Sequence, residues 1–421
     1  MHSNRQTTGQ AGLRYVDFVN PNYQPGETDV VCTFHVEPRG ISLKEAAGGV
    51  AAESSIGTWT ELTTVKPYVQ KLAATVFSLE GDTAKIAYPI ELFELGNMPN
   101  ILSSIQGNVF GLRTLENLRL NDIQFPTQLL KSFKGPKYGV DGIRRLLRVY
   151  NRPLIGTIIK PKLGLRTTDH AKVAYDAWVG GCDIVKDDEN LSSQNFNPFE
   201  KRVMATLESR DRAEEETGEK KIYMVNVTAE TNEMLRRSQL VLDHNGEYVM
   251  VDILTCGFAA LQTLREQDMN LVIHAHRAGH GAFTKDPRHG VSMRVVAKAA
   301  RTVGVDQLHV GTVVGKMFET REEVQENCDA VTQEMAGLKR VLPVASGGLH
   351  PALVPALMEF FGLDFAIQAG GGIHGHRDGT VAGAKAMRQA VDATLVGVSL
   401  EEHSKEHHEL ETAMQMWGQI A

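Results

Sequence analysis

Eight short apolar runs, separated by amphipathic segments, constrain this chain more than any other feature. They are LIGTIIK (154–160), CDIVK (182–186), KIYMVNV (221–227), YVMVDIL (248–254), LVIHAH (271–276), QLHVGT (307–312), VLPVAS (341–346) and FAIQAG (365–370). Each is apolar on both faces and rich in β-branched residues, the pattern of strands buried in a parallel sheet. Segments between them, such as HAKVAYDAWVGG, VSMRVVAKAARTVG and REEVQENCDAVTQEMAG, carry apolar residues near helical spacing. Gly337 stands where the last of these would take a C-terminal cap. Eight strand–helix units in about 270 residues predict an α/β chain with a C-terminal TIM (β/α)8 barrel. A doubly wound open sheet is the rival, but it seldom needs eight such even units, and no GxGxxG opens the first helix.

The first 135 residues follow another rhythm. TDVVCTFHVEP alternates as a half-buried strand, and SLKEAAGGVAAESS reads as a helix. ATVFSLEGDTAKIAYPI is a hairpin turning at Glu80-Gly81-Asp82, NMPNILSSIQGNVFG a second helix and LENLRLNDIQF a last strand. That order predicts a ferredoxin-like α+β N-terminal domain over 1–135, with the barrel over 136–421. KSFKGPKYG (131–139) reads as the linker and DGIRRLLRVYN as a helix leading into the barrel. The net charge is -7 and no long basic run appears, which argues against nucleic acid as a partner. Cys32, Cys182, Cys256 and Cys328 form no CxxC pair, which argues against a zinc or disulfide framework and fits a reducing cytoplasm. The N-terminal stretch lacks the apolar core of a signal peptide, and no run approaches the ~20 apolar residues of a membrane span.

Barrel enzymes carry their chemistry at the C-terminal ends of the strands. Polar residues fall there repeatedly. Lys160 and Lys162 follow the first run, and Lys186, Asp187, Asp188 and Glu189 end the second. His274, His276 and Arg277 end the fifth, with His280 soon after. His309 lies in the sixth, followed by Lys316 in GTVVGK. Ser346-Gly347-Gly348 ends the seventh run and Gly370-Gly371-Gly372 the eighth. Each has a plainer reading: solvated loop lysines, a capped turn, hydrogen-bonded core histidines, simple glycine turns. One such coincidence is cheap, but six on one rim are not. The carboxylates suit a hard ion such as Mg2+. The glycine loops after the seventh and eighth strands suit phosphate bound through backbone N–H groups. Arg277, His276 and His309 suit a second anionic group, so the rim fits an extended substrate with a phosphate at each end. The glycines around Lys316 predict a mobile lid.

GTIIKPKLGL, GGCDIVKDDEN, HAHRAGH, HVGTVVGK, LPVASGGLH and the final GGG together resemble the large subunit of the ribulose-1,5-bisphosphate carboxylase/oxygenase (RuBisCO) family. AAESSIGTWTEL and GNVFG resemble that family's N-domain motifs. The resemblance covers nearly the whole chain and is strongest to the archaeal type (form III), which works without a small subunit. It implies Mg2+-dependent carboxylation, with competing oxygenation by O2, of D-ribulose 1,5-bisphosphate to two 3-phosphoglycerates through an enediolate. It also implies an activating CO2 that turns Lys186 into a carbamate, which binds Mg2+ with Asp188 and Glu189. Strand alternation puts Lys186 and Asp188 on one side and Asp187 on the other. By the same resemblance the Lys186 carbamate is the base, Lys160 the final acid, and Lys162 a neighbour of the metal. His276 assists hydration, and Lys316 stabilises the new carboxylate. Arg277, His309 and Ser346 would hold one phosphate. Thr58, Trp59, Gly370, Gly371 and the Gly347-Gly348 turn would hold the other. Glu53 and Asn108 would reach the site from a second subunit, so a homodimer or a ring of homodimers is expected. Nucleotide (AMP) ribose salvage is one pathway open to such an enzyme. Ile158 and Val310 depart from plant-type threonine and serine, a change that bears on CO2/O2 tuning.

The nearest rival is a RuBisCO-like enolase or isomerase of a related sugar phosphate; such relatives typically lose carboxylation groups that are present here, Lys316 above all. A Schiff-base aldolase using Lys160 or Lys186 leaves the carboxylates unexplained. A non-catalytic sugar-phosphate-binding subunit leaves the acid, base and metal groups unexplained.

Overall fold

A computed structural model describes residues 14–60 and 62–418. They form two compact units, each with its own sheet. The first contains β1 (Val30–Pro38), the helix Leu43–Glu53, β2 (Thr75–Glu80), β3 (Thr83–Tyr88), the helix Met98–Gln106 and β4 (Leu115–Gln124). The two-residue turn Gly81-Asp82 joins β2 to β3, with Gly81 at φ +60°. Val30, Cys32, Phe34 and Val36 of β1 are wholly buried, every second residue, as a strand with one covered face requires. The strands run in the antiparallel order β4-β1-β3-β2, which is the ferredoxin-like arrangement. Glycine inside the helix Leu43–Glu53 weakens it locally, yet a Cβ on Gly48 would come within 2.1 Å of the Tyr15 carbonyl oxygen. The Ser42 and Glu45 capping box offsets part of that cost at the helix start.

The second unit holds the barrel strands β5 (Leu154–Ile158), β6 (Ile184–Lys186), β7 (Ile222–Asn226), β8 (Tyr248–Asp252) and β9 (Val272–His276). After the short strand β10 (Gly290–Val291) come β11 (Gln307–His309), β12 (Leu342–Ser346) and β13 (Ala366–Gln368). Without β10 these strands close a parallel barrel in the order β5-β6-β7-β8-β9-β11-β12-β13. Each of the eight apolar runs supplies one strand, shortened by one to three residues at an end. The helix Gly139–Leu147 packs Val140, Ile143 and Leu147 against Leu154, Ile184, Ile222, Tyr248, Val272, Leu342 and Ala366, the first residues of seven strands. It therefore plugs the N-terminal end of the barrel, and each of its three fully buried apolar side chains contributes about 1.5–3 kcal/mol. The other end is left open.

Two details differ from the sequence expectation. The first unit ends at Ser132 but also takes in Gly281–Val296, which a boundary at 135/136 gives to the barrel. The reason is β10, whose Gly290 and Val291 pair in parallel with Arg119 and Leu120 and add a fifth strand beside β4. A two-residue strand has no periodicity to read. The helix expected to end at Gly337 stops at Thr332; Gln333 is its cap and is extended, while Gly337 (φ +80°) turns the chain later. Among the described residues no helix is long and apolar enough to cross a membrane.

Candidate active site

A cleft of about 570 Å3 opens at the C-terminal ends of the barrel strands. Lys160, Lys186, Glu189, His276, Arg277, His309, Lys316, Ser346, Gly347, Gly348, Gly370 and Gly371 all line it. They come from six strands that span more than two hundred residues of sequence, and barrel closure alone brings them together.

Lys186 ends β6 opposite Ile158 of β5 and is 3% exposed. Its Nζ donates to the Asp187 carbonyl at 2.7 Å and lies 3.5 Å from Glu189 Oε2. Burial pushes the Lys186 amine below its ordinary value, although Glu189 and Asp188 pull the other way. Burial also works to raise the Glu189 carboxyl, but Lys186 and His276 outweigh it and lower it to about 2. Asp188, 1% exposed, accepts from Lys160 Nζ at 2.8 Å and from the Asn190 amide at 3.1 Å. It sits behind Lys160 rather than on the cleft wall.

Asp187 points away from this group. It accepts from Tyr223 Oη at 2.6 Å and the Asn226 amide at 3.0 Å, with His170 Nε2 at 3.1 Å and Arg202 Nε at 3.4 Å. Burial would raise this carboxyl, but Arg202 and His170 hold it down at about 2. The Asn226 side chain donates to the carbonyls of Asp188, Glu189 and Leu191 and so fixes the loop. Adjacent carboxylates thus have separate tasks, one buried as an anchor and two near the cleft.

Strand pairing orients the imidazoles. Asp252 of β8 lies beside His276 of β9, and its Oδ1 is 2.7 Å from His276 Nδ1. A carboxylate only accepts, so His276 Nδ1 carries a proton toward Asp252, and Nε2 faces outward, 3.7 Å from Glu189 Oε2. His309 has the opposite tautomer. Its Nδ1 accepts from Arg277 Nε at 2.8 Å and from the Gly311 amide at 3.2 Å, so Nε2 carries the proton. Burial, followed by Arg277, keeps His309 well below the ordinary histidine value and hence neutral. His309 can donate a hydrogen bond from Nε2 to an anion. His274, read from the sequence as a rim residue, instead lies inside the barrel, its Nδ1 3.1 Å from Gln307 Oε1.

The glycines mark close approaches. Gly347 and Gly348 have φ of +124° and +76°, and a Cβ on Gly348 would crowd Lys316. The Lys316 amide donates to the Gly347 carbonyl at 3.1 Å, so the Lys316 loop rests on the turn after β12 while its side chain stays exposed. A Cβ on Gly370 would meet Lys160 Cε at 3.0 Å.

Not every expected residue is in the cleft. Lys162 is exposed, its Nζ 3.3 Å from Asn190 Oδ1, because the chain turns outward after Lys160. Glu53, Thr58, Trp59 and Asn108 belong to the first unit and line no part of this cleft. Glu53 accepts from Tyr15 Oη at 2.9 Å; Thr58 and the 82% exposed Trp59 border a separate hollow of about 450 Å3. Sequence reasoning missed Asp252, Gln368, His350, Glu319 and Trp417. Asp252 and Gln368 end strands and followed the same rule as the others. Trp417, at the end of the helix His408–Trp417, gave no signal.

The donor set fits a hard divalent cation only conditionally. Among the described residues no three His, Cys, Asp or Glu side chains are grouped to hold a metal. Asp188 and Glu189 supply oxygens, and a lysine ammonium would repel the ion. A carbamate on Lys186 would add oxygen ligands and reverse the sign, giving an all-oxygen set suited to Mg2+.

Two family models match the chain: "Ribulose bisphosphate carboxylase large chain, catalytic domain" over residues 139–417 and the corresponding N-terminal domain over 17–129. The chain is 51% identical to a ribulose bisphosphate carboxylase of Methanosarcina mazei, with 95% of this chain and 99% of that protein covered. It is 48% identical to one of Methanocaldococcus jannaschii, covering 96% and 100%. Its structure is similar to the octameric Rubisco of Pyrococcus horikoshii crystallised with sulfate (TM-score 0.95, 48% identity, 98% and 99% covered). It is also similar to the dimeric archaeal Rubisco of Hyperthermus butylicus (TM-score 0.89, 45% identity, 96% and 99% covered). With both domain models matched and half the residues identical to such relatives across nearly their full length, the chain belongs to the ribulose bisphosphate carboxylase large chain family.

Proposed function

We propose that this chain carboxylates D-ribulose 1,5-bisphosphate to two 3-phosphoglycerates, with O2 as a competing substrate. The observation that carries the reading is Lys186, a buried lysine whose amine is biased toward neutrality and flanked by Asp188 and Glu189. A neutral amine attacks CO2; an ammonium does not. Mg2+ held by the carbamate, Asp188 and Glu189 would withdraw electrons from the substrate's carbonyl and favour its enediolate. Lys186, once carbamylated, would be the base placed to take the C3 proton. Lys316 swings from its glycine-flanked loop to meet the carboxylate formed from CO2. His276, oriented by Asp252, accepts a proton from the water that adds at C3. Lys160 delivers the last proton as the C2–C3 bond breaks. Arg277, His309 and Ser346 hold one phosphate, and the Gly347-Gly348 and Gly370-Gly371 turns hold the other. Glu53, Thr58, Trp59 and Asn108 of a second copy complete the site; the dimeric and octameric assembly of the similar archaeal enzymes supports a homodimer as the minimum unit.

The test supplies Mg2+, labelled bicarbonate and ribulose 1,5-bisphosphate and looks for acid-stable labelled 3-phosphoglycerate. With O2 excluded, a folded protein that consumes the substrate without fixing label is an enolase or isomerase instead. Lys186→Ala should lower turnover by about a thousandfold or more, since it removes both base and metal ligand; retained activity refutes the carbamate.

A further inference from the structure

Arg277 is 2% exposed, and its charge needs an answer inside the protein. That answer comes from Glu319, three residues beyond Lys316. Arg277 Nη2 lies 2.5 Å from Glu319 Oε1, and the Glu319 side chain is 3% exposed. Arg277 and His309 line the cleft; Glu319 does not. The guanidinium is therefore paired by charge with Glu319, which does not line the cleft, and hydrogen-bonded along Nε to His309, while neither Nη1 nor Nη2 has a hydrogen-bond partner among the described residues. Space around the grip is tight, since a Cβ on Gly311 would come within 3.2 Å of Arg277 Nη2 and 3.4 Å of Glu319 Oε1. The next residue back, Phe318, stacks on His280 with ring centroids 5.9 Å apart and planes 18° from parallel. The C-terminal foot of the Lys316 loop thus stands on the arginine and on the cleft wall beside it.

We propose that Glu319 is a positioning residue, which aims the free edge of the Arg277 guanidinium into the cleft for a substrate phosphate and ties that anion seat to the loop carrying Lys316. The assignment takes Arg277 as a phosphate ligand, as proposed above. A phosphate arriving at Arg277 then loads a group to which the loop is already fastened, so anion binding and the position of Lys316 are coupled through one side chain. A loop attached only through its backbone would show no such coupling.

Inorganic phosphate and ribulose 1,5-bisphosphate are the probes. Glu319→Gln keeps the shape and removes the charge. By calorimetry it should weaken phosphate binding about tenfold or more. It should raise KM for the bisphosphate more than it lowers kcat, and leave the CO2 and Mg2+ concentrations needed for activation unchanged. Glu319→Asp keeps the charge but withdraws it by one methylene, and should fall between Gln and wild type. Trypsin cleavage after Lys316 reads the loop: phosphate should protect that bond in the wild type and fail to protect it in Glu319→Gln. Wild-type phosphate affinity in Glu319→Gln, or in Glu319→Asp should the first variant not fold, overturns the proposal. So does full protection of the bond by phosphate in a folded variant. A wild-type protein that shows the coupling but fixes no CO2 refutes the carboxylase reading and leaves Glu319 in its role.

Discussion

Asp183 and Asp306 stand just before β6 and β11, at the plugged end of the barrel; Asp188 and Glu189 stand just after β6, at the open end. The first pair is saturated. Asp183 takes both terminal nitrogens of Arg152, at 2.6 and 2.7 Å, and the Ile155 amide at 2.8 Å. Asp306 takes Arg265 Nη2 at 2.5 Å and the amides of Tyr138, Gly139 and Ile273 at 2.5, 3.1 and 3.1 Å. These aspartates staple neighbouring strand starts and the plugging helix together. At the open end Asp188 is paired with Lys160 Nζ at 2.8 Å and the Asn190 amide at 3.1 Å, but its neighbours are held less closely. Glu189 reaches Lys186 at 3.5 Å and His276 at 3.7 Å, and His350 Nδ1 and both polar atoms of Gln368 have no hydrogen-bond partner among the described residues. Buried polar groups ordinarily find partners. The two aspartates at the plugged end are fully paired, whereas several buried polar groups of the cleft are open, and those open groups are ones a ligand can satisfy.

Variants can break or sharpen this contrast. The largest effect is expected at the saturated end. Asp306→Ala leaves Arg265 buried without its carboxylate and four donors without an acceptor, and should cost about 3–5 kcal/mol in denaturant unfolding. The fraction that remains folded should turn over normally; loss of activity without loss of stability would contradict the division. Next, Lys160→Met at the open end should lower kcat by about a hundredfold, the scale of a lost general acid, with little change in melting temperature. A third test uses pH. His374 lies between Thr157 Oγ1 at 2.9 Å and Thr380 Oγ1 at 3.1 Å. Burial, and then Lys160, push it down from 6.5 to about 4. As pH falls through 6.5 the unfolded chain binds a proton there that the folded chain refuses, so this contribution to stability is present above 6.5 and lost by about 4. Melting temperatures across that window should fall less steeply for His374→Gln than for wild type; parallel curves would remove His374 from the account. The smallest effect belongs to Gln368→Met. Removing two unpartnered polar atoms should raise stability by about 1 kcal/mol, while KM for the bisphosphate rises if the carboxamide serves the ligand.

Read along the chain, the barrel strands and the polar residues that follow them are plain, because alternation and run length are properties of adjacent residues. So is the division of Asp187 from Lys186 and Asp188, since side chains alternate along a strand. The role of Asp252 was hidden although it ends a strand in full view, because its partner His276 lies 24 residues on and only the β8–β9 register pairs them. Lys160 and Lys162 look equivalent in sequence, yet one lines the cleft and the other faces solvent.

The sequence by itself determined the two architectures, the end of the barrel that would carry chemistry and most of the side chains found there. It did so because periodicity and strand-end position are local. Tertiary structure alone decided which lysine is buried, which nitrogen of His276 and His309 holds the proton, which carboxylate answers Arg277 and where Gly281–Val296 pairs. Burial, tautomer and charge compensation each sum over neighbours drawn from distant segments, and those neighbours exist only once the barrel has closed.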